Sequence, residues 1–173
     1  LWKMKKFKIA LLVILLNIIT VKAIEACDLL SINIGGDKSS TAIFGEIDDE
    51  NIDEDAEVNV FTTSIDAFCQ DESINFGEVL VKLYVMDNKV GAVEIEVMNG
   101  PDNEESKKGL LRGYVESNFG GLDLESAEWL GFKIWEISSK QILYYNLERS
   151  DGYIAEGVAV TSAEHYKALV NDE

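Results

Sequence analysis

The chain is short of histidine, proline, cysteine and positive charge: one His, one Pro, two Cys, and 15 Lys plus Arg against 32 Asp plus Glu in 173 residues. Each scarcity closes off a class of function. A zinc site needs several His or Cys ligands, and these are not here to spare. A Ser-His-Asp triad has to use His165, near the end of the sequence, and no serine sits in a nucleophile-elbow pattern. The glycine pairs Gly35-Gly36 and Gly120-Gly121 lack the spacing and the lysine of a phosphate loop. A net charge of −17 repels nucleic acid and anionic membrane surfaces, so neither is expected as a partner. One Pro and 47% apolar residues argue against disorder. No motif asks for a cofactor.

The main apolar run at the start, Ile9 to Ile19, is broken only by Asn17 and falls short of the ~18–20 residues a membrane span needs. It follows the basic stretch Met4-Lys5-Lys6-Phe7-Lys8 and precedes small-residue exits at Val21-Lys22-Ala23 and Ile24-Glu25-Ala26. This describes a secretory signal peptide cleaved after Ala23 or Ala26, with Leu1 to Lys3 upstream of an initiator Met4. The expected mature chain, residues 27–173, is one α+β domain with ten basic against 31 acidic groups, net −21. No asparagine lies in an N-x-Ser/Thr sequon, and with the Met-Lys-Lys start this points to a periplasmic or secreted bacterial protein.

Cys27 and Cys69 form an even pair in an exported chain, which reads as a disulfide. The competing reading makes Cys27 a lipidated first residue, because Ile24-Glu25-Ala26-Cys27 has the outline of a lipobox. Glu25 fits that outline poorly, and lipidation leaves Cys69 without a mate.

The clearest local signal is Glu78 to Asn99, two alternating apolar runs around Asp87-Asn88, a β-hairpin. A three-residue loop, or a two-residue turn with a bulge at Gly91, pairs Val79 with Val97, Val81 with Ile95, and Leu83 with Val93. Lys82 then faces Glu94 on the other side. A plain two-residue turn would mix the faces. Ahead of the hairpin, Asp37 is positioned to cap a short helix over Thr41 to Phe44, with a strand as the alternative. Asp48 to Glu57 alternates acids like a calcium loop, but counting from Asp49 the sixth position is Glu54 and the twelfth Val60, so the motif fails. Val58 to Ser64 reads as a strand, and Ile65 to Gly77 as a loop.

After the hairpin, Asp102 and Glu105 read as a capping box opening one helix to about Asn118. Leu110, Leu111, Tyr114 and Val115 form its apolar face, and Gly109 with Gly113 a stripe for close approach to a neighbour. Strands over Gly131 to Ile137, Ile142 to Glu148 and Tyr153 to Thr161 follow, the first two joined by Ser138-Ser139-Lys140. In the last strand Ile154, Glu156, Val158 and Val160 share one face, and Tyr153, Ala155, Gly157 and Ala159 the other. The small face is expected to receive the glycine-striped helix, or else to line a shallow groove. Thr161 and Glu164 read as a capping box for a terminal helix, His165 to Val170. The fold class is α+β: an antiparallel sheet made of a hairpin and a three-stranded meander, with helices on one face.

Two segments share a shape, Ala42-Ile43-Phe44-Gly45 and Ser117-Asn118-Phe119-Gly120, each the end of a possible helix followed by strands, with Ile34-Gly35 ahead of the first. This resembles small exported bacterial α+β modules such as the β-lactamase-inhibitor protein and the small lipoproteins of outer-membrane assembly. The resemblance covers about a third of the mature chain. It implies a non-catalytic binding or scaffolding role and transfers no site residues.

The candidate interface is the aromatic cluster Trp129, Phe132, Trp135, Tyr144, Tyr145 and Tyr153, since exposed Trp and Tyr anchor interfaces. Trp135 and Tyr145 are expected on alternate faces from Phe132 and Tyr144, one set facing solvent and the other filling the core. The expected function is non-enzymatic binding of a protein or peptide, a cationic surface favoured by the charge. The alternatives are a lipid-anchored envelope scaffold, and a hydrolase using two of the many carboxylates.

Overall fold

A computed structural model describes residues 27–40, 53, 56–71, 73–122, 130–166 and 169. The signal segment, the Thr41 to Phe44 helix, most of the acidic run and Trp129 lie outside these residues. Strands β1 (Asn59–Ser64), β2 (Val79–Met86), β3 (Lys89–Val97), β4 (Gly131–Ile137), β5 (Lys140–Glu148) and β6 (Ile154–Thr161) form a six-stranded sheet of order β1-β2-β3-β6-β5-β4. Every neighbouring pair is antiparallel. The architecture is α+β.

The central hairpin has the register its alternation requires: Val79 opposite Val97, Val81 opposite Ile95, Leu83 opposite Val93, and Lys82 opposite Glu94. Of the two loop geometries compatible with that register, the two-residue turn with a bulge is the one adopted. Asp87 and Asn88 both take positive φ, 49° and 59°, the twist that matches a hairpin. Val85 then pairs with Val90 but Tyr84 with Ala92, which leaves Gly91 as the extra residue. Its carbonyl accepts the buried Thr161 hydroxyl at 2.8 Å. Thr161 is therefore spent on the sheet and does not cap the C-terminal turn, where Ser162 Oγ accepts the His165 N–H instead. Residues 163–166 form that turn.

The main core lies on one face of the sheet, and a smaller cluster on the other packs Val58, Met86 and Leu169 against Tyr84 and Ala92. Val81, Val93, Ile95, Ile142, Tyr144, Val158 and Val160 are fully buried in the main core, under Leu111 and Val115 from above. Each such aliphatic side chain contributes roughly 1.5–3 kcal/mol by leaving water. The covering layer departs from the sequence expectation. The helix expected from Asp102 to Asn118 is two pieces, α2 (Glu104–Lys108) and α3 (Leu110–Phe119), separated by Gly109 at φ 64°. Gly113 has no atom within 4 Å of where a Cβ would stand, so the glycine pair is a chain break and an open surface, not a packing stripe.

The capping box is not formed either. Asn103 precedes α2 without a side-chain cap, because its amide group bridges to the β5–β6 turn, donating to Gly152 O and accepting from Ile154 N, both at 2.8 Å. Glu105 accepts from the Glu78 N–H at 3.2 Å and pairs with Lys108. A tertiary use of each side chain has displaced the local one. Within the expected 65–77 loop, one helical turn, α1 (Ile65–Phe68), is started by Ser64 and buries Phe68.

The N-terminal stretch runs as a strap across the end of the sheet. Gly35 N and Gly36 O bond to Val90 at 2.8 and 2.9 Å, and Lys140 Nζ donates to the carbonyls of Leu30 and Ile32. Tyr114 donates its hydroxyl to Cys27 O at 2.7 Å. The Cys27–Cys69 disulfide closes the strap over a separation of 42 residues, worth about 4 kcal/mol in the chain-entropy picture. Among the described residues no helix is long and apolar enough to cross a membrane.

Candidate functional site: the face of the sheet opposite the core

Strand alternation sends every second side chain to the face opposite the core. On β3 these are Ala92, Glu94 and Glu96, on β6 Gly157 and Ala159, and on β5 Leu143, Tyr145 and Leu147. Phe132, Ile134 and Glu136 of β4 continue the face to one edge, and Lys82 and Tyr84 of β2 carry it the other way. Leu169 and Val58 pack on this side against Tyr84 and Ala92 at its β2–β3 end, whereas α1 and α3 pack on the core face.

The small-residue side of β6 thus faces away from α3, whose Leu111 and Val115 belong to the core on the Val158 and Val160 side. It receives Tyr145 from the neighbouring strand. A Cβ at Gly157 would stand 2.4 Å from the Tyr145 oxygen, so the glycine leaves the room the ring needs. The phenol crosses β6 and donates to Glu94 Oε1 at 2.7 Å. From the opposite side Tyr84 donates to Glu94 Oε2 at 2.5 Å. Glu94 is only 5% exposed, with Lys82 Nζ at 3.9 Å from its carboxylate and at 2.9 Å from Glu96. Burial, and then the Glu94 charge, push the Tyr145 phenol far above its usual range.

Outside this polar centre the face becomes apolar and open. Phe132 is 66% exposed, Leu147 43% and Ile134 42%. Phe132 lies directly opposite Tyr145, and Ile134 opposite Leu143. The strip therefore runs along β4 and β5 at the sheet edge.

The strand register redistributes the aromatic cluster. Ser138 and Ser139 make a two-residue turn that pairs Ile137 with Lys140, where the sequence suggested a three-residue one. The missing residue reverses the parity, so Trp135 shares the core face with Tyr144, and Phe132 shares the open face with Tyr145. Trp135 is half-buried, its ring 6.0 Å from Phe119, which in turn meets Tyr114 edge-on at 6.1 Å. Tyr144 is fully buried and donates to Glu156 Oε1 at 2.9 Å. Tyr153 is half-buried below the Arg149 guanidinium, 5.8 Å from its ring centre. The cluster is thus split between core, rim and open face. The exposed aliphatic members, Ile134 and Leu147, carried no aromatic signal in the sequence and become visible only when the strands are paired.

Glu156 is the other buried acid, 1% exposed on the core face. Burial raises its carboxyl above the usual range, against hydrogen bonds from Ser106 and Tyr144 and the nearby Arg112 charge. His165 Nδ1 lies 2.8 Å from Ser162 Oγ, and its ring packs on the Gly35 backbone. Among the described residues no carboxylate hydrogen-bonds the other ring nitrogen, and no three His, Cys, Asp or Glu side chains group as a metal site. Two recesses of about 390 and 410 Å³ flank the 69–77 loop beside the disulfide, the second between Asp28, Asp71, Tyr114 and Phe119.

No protein-family model, curated protein or solved structure matches this chain.

Proposed function

We propose that the chain is an exported, non-enzymatic binding protein that engages a cationic protein segment on the open face of its sheet. The observation that carries this reading is Phe132, 66% exposed beside Ile134 and Leu147 on the β4–β5 part of the face opposite the core. A contiguous apolar strip with a polar border marks an interaction surface in a protein of this size. Glu136 borders the strip, and the whole chain carries −17, so electrostatics favour a basic partner. The Cys27–Cys69 disulfide supports export and commits the thiol that a lipid anchor would need. The acid at the centre of the face, Glu94, has both oxygens engaged by phenols, which suits a fixed platform better than a reacting group.

The test is a titration of wild-type protein and the Phe132→Ser/Ile134→Ser variant with lysine-rich amphipathic peptides, at two salt concentrations. The expected result is a loss of at least about tenfold in affinity for the variant, as befits an interface centre. Unchanged affinity in a folded variant would remove the reading.

A further inference from the structure

We infer that the partner binds as an extended strand added to the outer edge of β4, a deepening that rests on the binding function proposed above. β4 is a terminal strand of the sheet, paired only with β5 among the described residues. Its ladder runs without interruption from Gly131 opposite Asn146 to Ile137 opposite Lys140, with no bulge, and the strand contains no proline. These are the devices that ordinarily blunt an exposed edge. The one lysine, Lys133, is folded back, its Nζ donating to Gly121 O at 2.6 Å and lying 5.2 Å from the Trp135 ring centre. Its charge is thereby held over the body of the protein and does not guard the edge.

The turn fixes which backbone groups are available. In a two-residue hairpin the residues flanking the turn exchange both hydrogen bonds, and bonded and unbonded positions then alternate. Ile137 flanks the turn, so Ile137, Trp135 and Lys133 bond inward to β5. Phe132, Ile134 and Glu136 direct their N–H and C=O groups outward. These are the same residues whose side chains stand on the open face. One edge therefore offers a main-chain ladder and an apolar row together, which is the layout of strand addition.

The occupant is committed by charge. A second copy would bring another −17 against the first. The edge instead suits a basic extended segment of another protein with apolar residues at alternate positions, placed beside Phe132 and Ile134, and a Lys or Arg near Glu136.

The experiment uses isotopically labelled protein and the peptide acetyl-Lys-Val-Lys-Val-Lys-Lys-Lys-amide, followed by backbone amide exchange. Strand addition slows exchange of the Phe132, Ile134 and Glu136 amides by at least about tenfold, and leaves Lys133 and Trp135, already bonded to β5, unchanged. Ile134→Pro removes an outward N–H, spares the β5 ladder and abolishes that protection. Binding that depends on Phe132 but leaves those amides unprotected overturns strand addition while the binding function stands. Protection that survives Phe132→Ser/Ile134→Ser keeps strand addition and removes the apolar strip as its basis. Protection that appears without peptide as the protein is concentrated makes a second copy the occupant and overturns the proposal. So does the absence of binding at millimolar peptide.

Discussion

Tyr145 and Gly157 are one fitted pair: the ring lies where a side chain at 157 would be, and through it the phenol reaches Glu94 two strands away. Gly157→Ala should displace the ring and cost roughly 1–3 kcal/mol, the range for overpacking a filled site. Urea denaturation checks the loss. Adding Tyr145→Phe to Gly157→Ala should cost little more, because the bond to Glu94 is already broken, so the two changes should be non-additive.

The buried phenols make the protein sensitive to alkali. Tyr144 and Tyr145 are both raised, first by burial and then by Glu156 and Glu94 respectively. An unfolded tyrosine begins to lose its proton near pH 10, while the folded one keeps it. The stabilisation is therefore complete below that pH and falls as pH rises, by about 1.4 kcal/mol per pH unit for each such tyrosine. Denaturant midpoints between pH 9 and 11 should fall more gently in Tyr145→Phe than in the wild type, each referred to its own value at pH 8.

Glu156 acts in the acid range with the same sign. Its carboxyl is raised in the folded protein, so the folded state holds a proton that the unfolded chain releases above its ordinary pKa of 4.5. Stability from this group is full below that pH and declines as pH rises through the raised value. Glu156→Gln keeps an acceptor for Tyr144 and removes the titration. It should raise stability near pH 7 and flatten the slope above pH 4.5. Equal slopes in the two proteins would show that Glu156 ionises freely.

Removing the disulfide releases the strap. Cys27→Ser/Cys69→Ser should lose up to about 4 kcal/mol, since the crosslink restrains a long stretch of the unfolded chain. Calorimetry of the two proteins measures the loss. Lys140→Met should weaken the same region by a smaller amount, because the lysine joins two strap carbonyls to β5.

How much of this was written in the sequence depended on how many local signals agreed. At the central hairpin the phase of the apolar residues and the position of Gly91 allowed only loops that give one register, and that register is observed. At Ser138-Ser139 no glycine or asparagine distinguishes a two-residue from a three-residue turn. The wrong choice exchanges Tyr144 with Tyr145 between core and open face. Gly109 and Gly113 were equally ambiguous, because a glycine in a helical pattern serves close packing or a left-handed break, and only the fold decides. Asn103 shows the same limit: its partners at Gly152 and Ile154 are distant in the chain, so no window around it reveals them. For the proposed binding face, acidity and aromatic richness were legible, whereas the exposed row Phe132, Ile134 and Leu147 required strand pairing to appear.

The strand order has a consequence for assembly. The sheet is two meanders, β1 to β3 and β4 to β6, each able to form from contacts close in sequence, and they meet only where β3 lies along β6. Glu94 sits on that seam. One of its phenols comes from the first meander and the other from the second. Both can arrive only when each half has closed with its own strands in register and the two have joined without slipping. The carboxylate thus inspects the join, and two halves that meet out of step leave one of its oxygens without its phenol.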